Sequence, residues 1–208
     1  MTVIMQRVKP VDGVEAMGHS QAEKAASRER ILAAASAKIR AEGLESLSVG
    51  KLMADVGLTH GGFYGHFASR ADLLAQALER ALVDGEGGAK PAAPATETPP
   101  RRLAGFVRSY LSRAHRDAPE RGCAISALAC DVGRADDACR ESMAAHVEGF
   151  IAGMTGRFGG DEGKAMAAVS AMVGALALSR VVPDRQRSDA ILRAAREMVI
   201  GMAEESGA

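Results

Sequence analysis

Three cysteines and five histidines are the side chains of this 208-residue sequence best suited to nucleophilic, redox or metal chemistry. Cys123, in Glu120-Arg121-Gly122-Cys123, falls at an expected helix start beside Arg121. A helix N-terminus and a neighbouring cation both favour the thiolate, so Cys123 is a candidate reactive thiol. Cys130 lies on the same helix face and Cys139 elsewhere. The competing role for each is that of a small buried hydrophobe. An odd cysteine count without CxxC argues against a disulfide framework or a zinc site. His115, His146 and Asp131 fall on different expected helices and follow no recognised metal-binding spacing. No HExxH, P-loop, Gly-rich dinucleotide turn or paired-carboxylate arrangement occurs. The sequence therefore predicts no enzyme, no metal and no cofactor.

A denser set of polar groups lies in Ser48 to Phe67, SVGKLMADVGLTHGGFYGHF. Val49, Leu52, Met53 and Val56 recur at helical spacing, with Ser48 placed to cap the run. Gly57 stands where a helix stop needs a left-handed residue. Leu58 plugs the angle to a second short helix, which Thr59 can cap. Phe63 and Phe67 face inward on it, leaving His60, Gly61, Tyr64 and His66 on other faces. Two short helices about a Gly-containing turn describe a helix-turn-helix, whose second helix is shaped for a major groove.

Composition supports an all-α protein: Ala, Leu, Met, Glu and Arg are common, and β-branched and aromatic residues are scarce. The formal net charge is zero, so any DNA affinity must come from a local basic surface. No apolar run of the length that spans a bilayer is evident, and the N-terminus lacks the pattern of a signal peptide. The expectation is a cytoplasmic protein with no membrane partner.

Residues 48–67 and the following Ala68-Ser69-Arg70-Ala71-Asp72-Leu73-Leu74 resemble the DNA-binding signature of the tetracycline-repressor (TetR) family of bacterial regulators. The matching features are the Val-Gly-Leu turn, the Phe63-Tyr64-x-His66-Phe67 end of the recognition helix, and the Ser-basic-x-Asp-Leu-Leu start of the next. The resemblance covers roughly residues 27–83; beyond it the chain matches only in being helical and of the expected length. It implies that Ser48, Thr59, His60, Gly61, Gly62, Tyr64, His66 and Arg70 meet DNA. Their types suggest roles. The Ser48 and Thr59 hydroxyls suit phosphate oxygens, as does His66, and Arg70 is a charged clamp. Tyr64 offers a phenol or an apolar edge, and His60 alone has a side chain suited to a purine N7 or O6. Gly61 and Gly62 carry nothing to discriminate bases and weaken helix propensity by roughly 1 kcal/mol each. Either they let the backbone lie close to the groove floor, or the helix forms fully only on DNA.

The resulting layout has four parts. Residues 1–26 read as a flexible tail, with a phosphate-touching arm through Arg7, Lys9 and Lys24 as the alternative. Residues 27–83 form a three-helix head, whose first helix starts at Ser27, with a connecting helix capped by Ser69. Residues 84–100, rich in Gly, Pro and Ala, read as a linker. Residues 101–208 form a helical ligand-binding and dimerisation domain. Within it, expected helices begin at Pro99 or Pro100, at Pro119, near Asp136, at Asp161 and after Pro183. The helix ending near Val182 is apolar almost all round, so it is expected to be buried on every side. That helix and the last, striped by Ile191, Leu192, Ala195, Met198, Val199 and Met202, are the dimer candidates.

The resemblance implies a homodimeric repressor, released from a palindromic double-stranded DNA operator by a small-molecule effector of unknown class. An activator of the same architecture is an alternative, and a helical enzyme or a structural dimer without DNA binding are the rival classes. Tyr110, His115, Cys123 and His146 are the polar groups that could line an effector pocket. Some regulators of this family sense electrophiles or oxidants through a cysteine in this region, which makes a redox-sensing repressor the alternative around Cys123.

Overall fold

The structure is a computed structural model and describes residues 13–87 and 99–204, with side chains over 21–85 and 101–203. Nine α-helices lie among them, with no strand: α1 (Gly13–Glu42), α2 (Val49–Asp55), α3 (Arg70–Gly87), α4 (Pro99–Tyr110), α5 (Arg113–Asp117), α6 (Ala124–Val132), α7 (Asp137–Arg157), α8 (Glu162–Val181) and α9 (Arg185–Glu204). Short 3-10 segments occur at Leu44–Ser46, His60–Gly65 and Pro119–Arg121.

The first helix begins at Gly13, not at Ser27, so residues 13–26, expected in the tail, continue α1. Ala, Glu, Gln and Lys through this stretch sustain a helix without an apolar stripe, which is why periodicity alone missed it. Residues 1–12, with Arg7 and Lys9, lie outside the described residues, as does most of the expected linker; its first four residues extend α3 to Gly87.

Ile31, Leu32, Ala35 and Ile39 of α1, Leu52 and Met53 of α2, and Leu73, Ala77, Leu78 and Ala81 of α3 build the head's interior. The same cluster continues into Ala124, Leu128 and Val132 of α6 and Cys139 and Met143 of α7. A second cluster joins α4, the far end of α7, α8 and α9, through residues such as Leu103, Met154, Met172 and Val199. The division between the two interiors therefore runs through α7. Head and body share α6 and the start of α7 as a common wall.

Residues 111–123 differ most from the sequence expectation. In place of one helix from Pro119, Ser112 accepts a hydrogen bond from His115 N–H at 3.1 Å and starts the short α5, Pro119–Arg121 makes a 3-10 turn, and α6 waits until Ala124. The break is steric. A Cβ on Gly122 would lie 2.8 Å from the His115 ring, so the chain passes here only as glycine in extended backbone.

Asp161 accepts from Lys164 N–H and caps α8 as expected, and Asp136, near the expected start of α7, accepts from Cys139 N–H, each at 2.9 Å. α8 meets the length and composition of a membrane span, contrary to the expectation that no run would. Ala165, Ala168, Val169, Met172, Ala175 and Leu176 are buried within the fold, against α7 and α9. It is not buried on every side, however. Met166, Leu178 and Val181 stand 46%, 59% and 76% exposed.

Candidate nucleic-acid interface

The geometry of the head follows from its caps. Gly57, at φ +74°, ends α2; its N–H bonds the Ala54 carbonyl at 3.0 Å and Leu58 N–H bonds Met53 O at 2.8 Å. This pair of bonds is the Schellman stop, and it needs the left-handed residue that glycine supplies. Thr59 Oγ1 then accepts from Gly62 N–H at 3.3 Å, capping the next element as expected. Ser48 is the N-cap of α2, but its side chain makes no capping bond. Its exposed hydroxyl is left for an outside partner.

The second short helix of the motif is a single 3-10 segment, His60–Gly65. Its sequence, HGGFYG, holds three glycines in six residues, a composition in which α-helical hydrogen bonds gain little over the backbone entropy lost. Phe63 and Phe67 hold it down. They are 1% and 2% exposed, with rings stacked at 5.6 Å, and the Arg28 guanidinium lies over Phe67 at 5.2 Å. Both are core, as the sequence indicated.

The opposite side is open. His60, Gly61, Gly62 and Tyr64 are exposed, with the His60 and Tyr64 rings edge-on at 6.4 Å. His66 is half-buried, with an enclosed Nδ1 that has no hydrogen-bond partner. A Cβ on Gly61 would meet nothing within 4 Å, and on Gly62 only ordinary contacts to Thr59 and Met53. Neither glycine has positive φ. Nothing inside the protein requires these two residues to be glycine.

Arg70 is partly engaged. Its Nε donates to the Leu47 carbonyl at 3.0 Å, and its Nη2 lies 3.7 Å from the exposed Glu45. It thus ties the start of α3 to the turn before α2 while leaving N–H groups to spare. Lys51, exposed on α2, is a cation beside this surface that the sequence reading did not single out. Its signal was a lone charge opposite the Val49, Leu52, Met53 stripe.

In the body, three of the four effector candidates come together. His115 Nδ1 lies 2.6 Å from the Tyr110 carbonyl and Nε2 accepts from Cys123 N–H at 2.9 Å. Because Nε2 is an acceptor, Nδ1 carries the proton and the ring is the neutral tautomer. Burial, with Arg180 nearby, holds its pKa below the ordinary histidine value. Tyr110 packs edge-on against it at 4.9 Å, and the Tyr110 hydroxyl is enclosed without a hydrogen-bond partner. Burial pushes the phenol well above its ordinary pKa. His146 is half-buried on α7, its Nδ1 3.2 Å from Ser142 O of the same helix.

Cys123 is buried and Cys130 exposed. Arg121, the cation expected beside Cys123, is instead 81% exposed and paired with Glu120 at 3.4 Å; Arg180 is the cation near the thiol. His115 and Asp131 have no free role as metal ligands, since Asp131 accepts from Leu44 N–H and from Arg134.

The architecture is thus a helix-turn-helix head on a helical body, the arrangement of a bacterial transcriptional regulator. Residues 31–77, within the head, match the family model of the bacterial regulatory proteins of the tetR family. No curated protein matches the sequence. Among solved structures, a TetR-family transcriptional regulator from Cytophaga hutchinsonii is similar with a TM-score of 0.73 at 17% identity, over 86% of this chain and 96% of that one. The reduced form of E. coli NemR gives 0.69 at 18%, over 83% and 94%. A TetR-family regulator from Streptomyces coelicolor gives 0.65 at 20%, over 88% and 96%. At these identities the likeness is one of fold.

Proposed function

We propose that the protein is a cytoplasmic, non-enzymatic transcriptional regulator that binds a palindromic DNA operator as a homodimer and is released as a repressor by a small-molecule effector. The observation that carries the DNA-binding part is the open face of residues 59–66. Polar groups and two sterically unrequired glycines face outward there, over a clamped aromatic pair. Glycines that the fold does not need fit a surface that another backbone must approach closely. With so few base-reading side chains, specificity rests on His60, on phosphate anchoring by Ser48, Thr59, His66, Arg70 and Lys51, and on DNA shape.

Dimerisation through α8 and α9 is supported by the exposure of Leu178, Val181 and Met198. Large apolar side chains left open on two adjacent long helices fit an isologous interface, which would set two heads on two inverted half-sites.

A gel shift with the DNA upstream of the protein's own coding sequence tests the reading. Sequence-specific binding by wild type, lost on combining His60→Ala with Arg70→Ala, is the expected result. Absence of specific binding, or full binding by the double variant, overturns it.

A cysteine-based sensor is the second reading, favoured by the enclosure of Cys123 with Tyr110, His115 and Arg180. The burial of the thiol limits reagent access, which ranks it below effector binding. Full DNA release by an electrophile from Cys123→Ser protein would remove it.

A further inference from the structure

The polar groups that the sequence singled out for an effector do not line the cleft that is open to one. An open cleft of about 590 Å³ lies where the end of α1 meets α5, α6 and the end of α8, walled by Arg40, Arg116, Arg180, Arg185, Asp117 and Ser126. Its size falls in the range that small-molecule sites occupy.

The charges in it are unevenly balanced. Arg116 is neutralised by Asp117 at 2.7 Å and Asp189 at 2.8 Å, which also occupies the cleft's own carboxylate. Arg180 has no such partner among the described residues. Its Nε and Nη2 donate to the Arg116 and His115 carbonyls at 3.2 and 3.1 Å, and its Nη1 to Ser126 Oγ at 3.3 Å. These neutral acceptors orient the guanidinium, and Glu120 acts on its charge only from beyond ion-pair contact. Arg40, whose side chain is 5% exposed, is held by a long 3.7 Å contact to Asp84 and a 3.4 Å bond to the Ala81 carbonyl, and its Nε has no partner. Burial depresses the pKa of both Arg40 and Arg180. Arg185, exposed at the start of α9, adds a further positive charge, within electrostatic reach of Asp117. A buried cation whose carboxylates stand at or beyond the edge of ion-pair contact is better satisfied by an anion brought against it.

We infer that this cleft binds a small oxyanion, a carboxylate or phosphate, between Arg40 of the head's first helix and Arg180 of the body. Planar guanidinium forks suit both chemistries. Ala177 and Val182 supply apolar wall for the rest of a metabolite-sized molecule. Because α1 carries Ile31, Ala35 and Ile39 into the head's core, an anion drawn between α1 and α8 acts on the head's position. That coupling rests on the regulator reading above; the binding site does not.

Calorimetry on the full-length protein without DNA, titrated with sodium phosphate in one arm and sodium succinate in another against sodium chloride of equal ionic strength, tests the site. Saturable binding of at least one probe is expected, weakened tenfold or more by Arg180→Gln and severalfold by Arg185→Gln. The arm that binds tells a phosphorylated ligand from a carboxylate. Binding of neither probe, or equal binding by both variants, overturns the site. Should Arg180→Gln fail to fold, the exposed Arg185→Gln decides alone. A threefold or larger change in affinity for the upstream DNA with the bound probe is expected, measured by fluorescence anisotropy. Unchanged DNA affinity overturns the coupling. A protein that binds the probe but no DNA retains the site and refutes the regulator reading.

Discussion

The Asp131 carboxylate of α6 accepts a hydrogen bond from the Leu44 backbone N–H at 3.1 Å, fastening the body to the turn that follows α1. The approach is close enough to dictate the residue before it. Gly43 has φ +88°, and a Cβ there would lie 2.8 Å from Asp131 Oδ2. Asp131→Ala is expected to cost about 1.5–3 kcal/mol, the range for a hydrogen bond to a charged group. Gly43→Ala is expected to cost at least 1 kcal/mol from its left-handed backbone alone, plus the clash. In a double-mutant cycle by urea denaturation, Gly43→Ala costs less on the Asp131→Ala background, because the clash is gone and only the backbone strain remains. Strict additivity would mean that the two residues do not share this contact.

Gly61→Ala separates the fold's needs from those of DNA. The added methyl meets nothing within 4 Å and φ is not positive. Stability should therefore stay level or rise by about 0.5–1 kcal/mol. Affinity for operator DNA should fall at least tenfold, since the methyl occupies the space of the closest backbone approach. A variant more stable than wild type that binds DNA equally well would show that the glycine has no part in recognition.

The parts of this structure that the sequence displayed are those set by local chemistry. Gly57 at the stop of α2, Thr59 at the next cap, Asp136 and Asp161 at later ones, and Phe63 with Phe67 in the core each depend on neighbours within a few residues. What stayed hidden depends on distant partners. The 3-10 turn and late start of α6 arise because Gly122 passes against His115 and Arg180. The bond that Arg70 makes to the Leu47 carbonyl, far away in sequence, could not be placed against its expected role as a phosphate clamp. The cluster of arginines in the cleft comes from α1, α5, α8 and α9, and no spacing rule joins residues so far apart.

Leu178 and Val181, both exposed on α8, should lie in the dimer contact. Replacing both with Glu is expected to leave the helical circular dichroism of the protomer intact, because neither side chain belongs to its interior. Light scattering after size exclusion should shift from dimer to monomer, and operator affinity should drop by a hundredfold or more as the second half-site is lost. A double variant that remains dimeric would place the interface elsewhere.

His115 gives the fold a specific acid sensitivity. In the folded protein its pKa is depressed below the ordinary histidine value of 6.5, chiefly by burial and further by Arg180, while Nε2 is already occupied by Cys123 N–H. Below about pH 6.5 the unfolded chain therefore binds a proton that the folded chain refuses, and stability falls as pH drops. The contribution is present in full above that pH. The slope from this one site is at most about 1.4 kcal/mol per pH unit. The depressed carboxylates Asp72, Asp117, Asp136 and Asp189 lose their contribution only near and below their ordinary value of 3.8, so they leave the window between pH 5 and 6.5 to histidine. Urea midpoints at pH 7.5 and about pH 5.5 should therefore differ more for wild type than for His115→Gln, which keeps an acceptor and a donor but does not titrate. An identical acid loss in both proteins would assign it to other groups and leave His115 a structural hydrogen-bonding residue only.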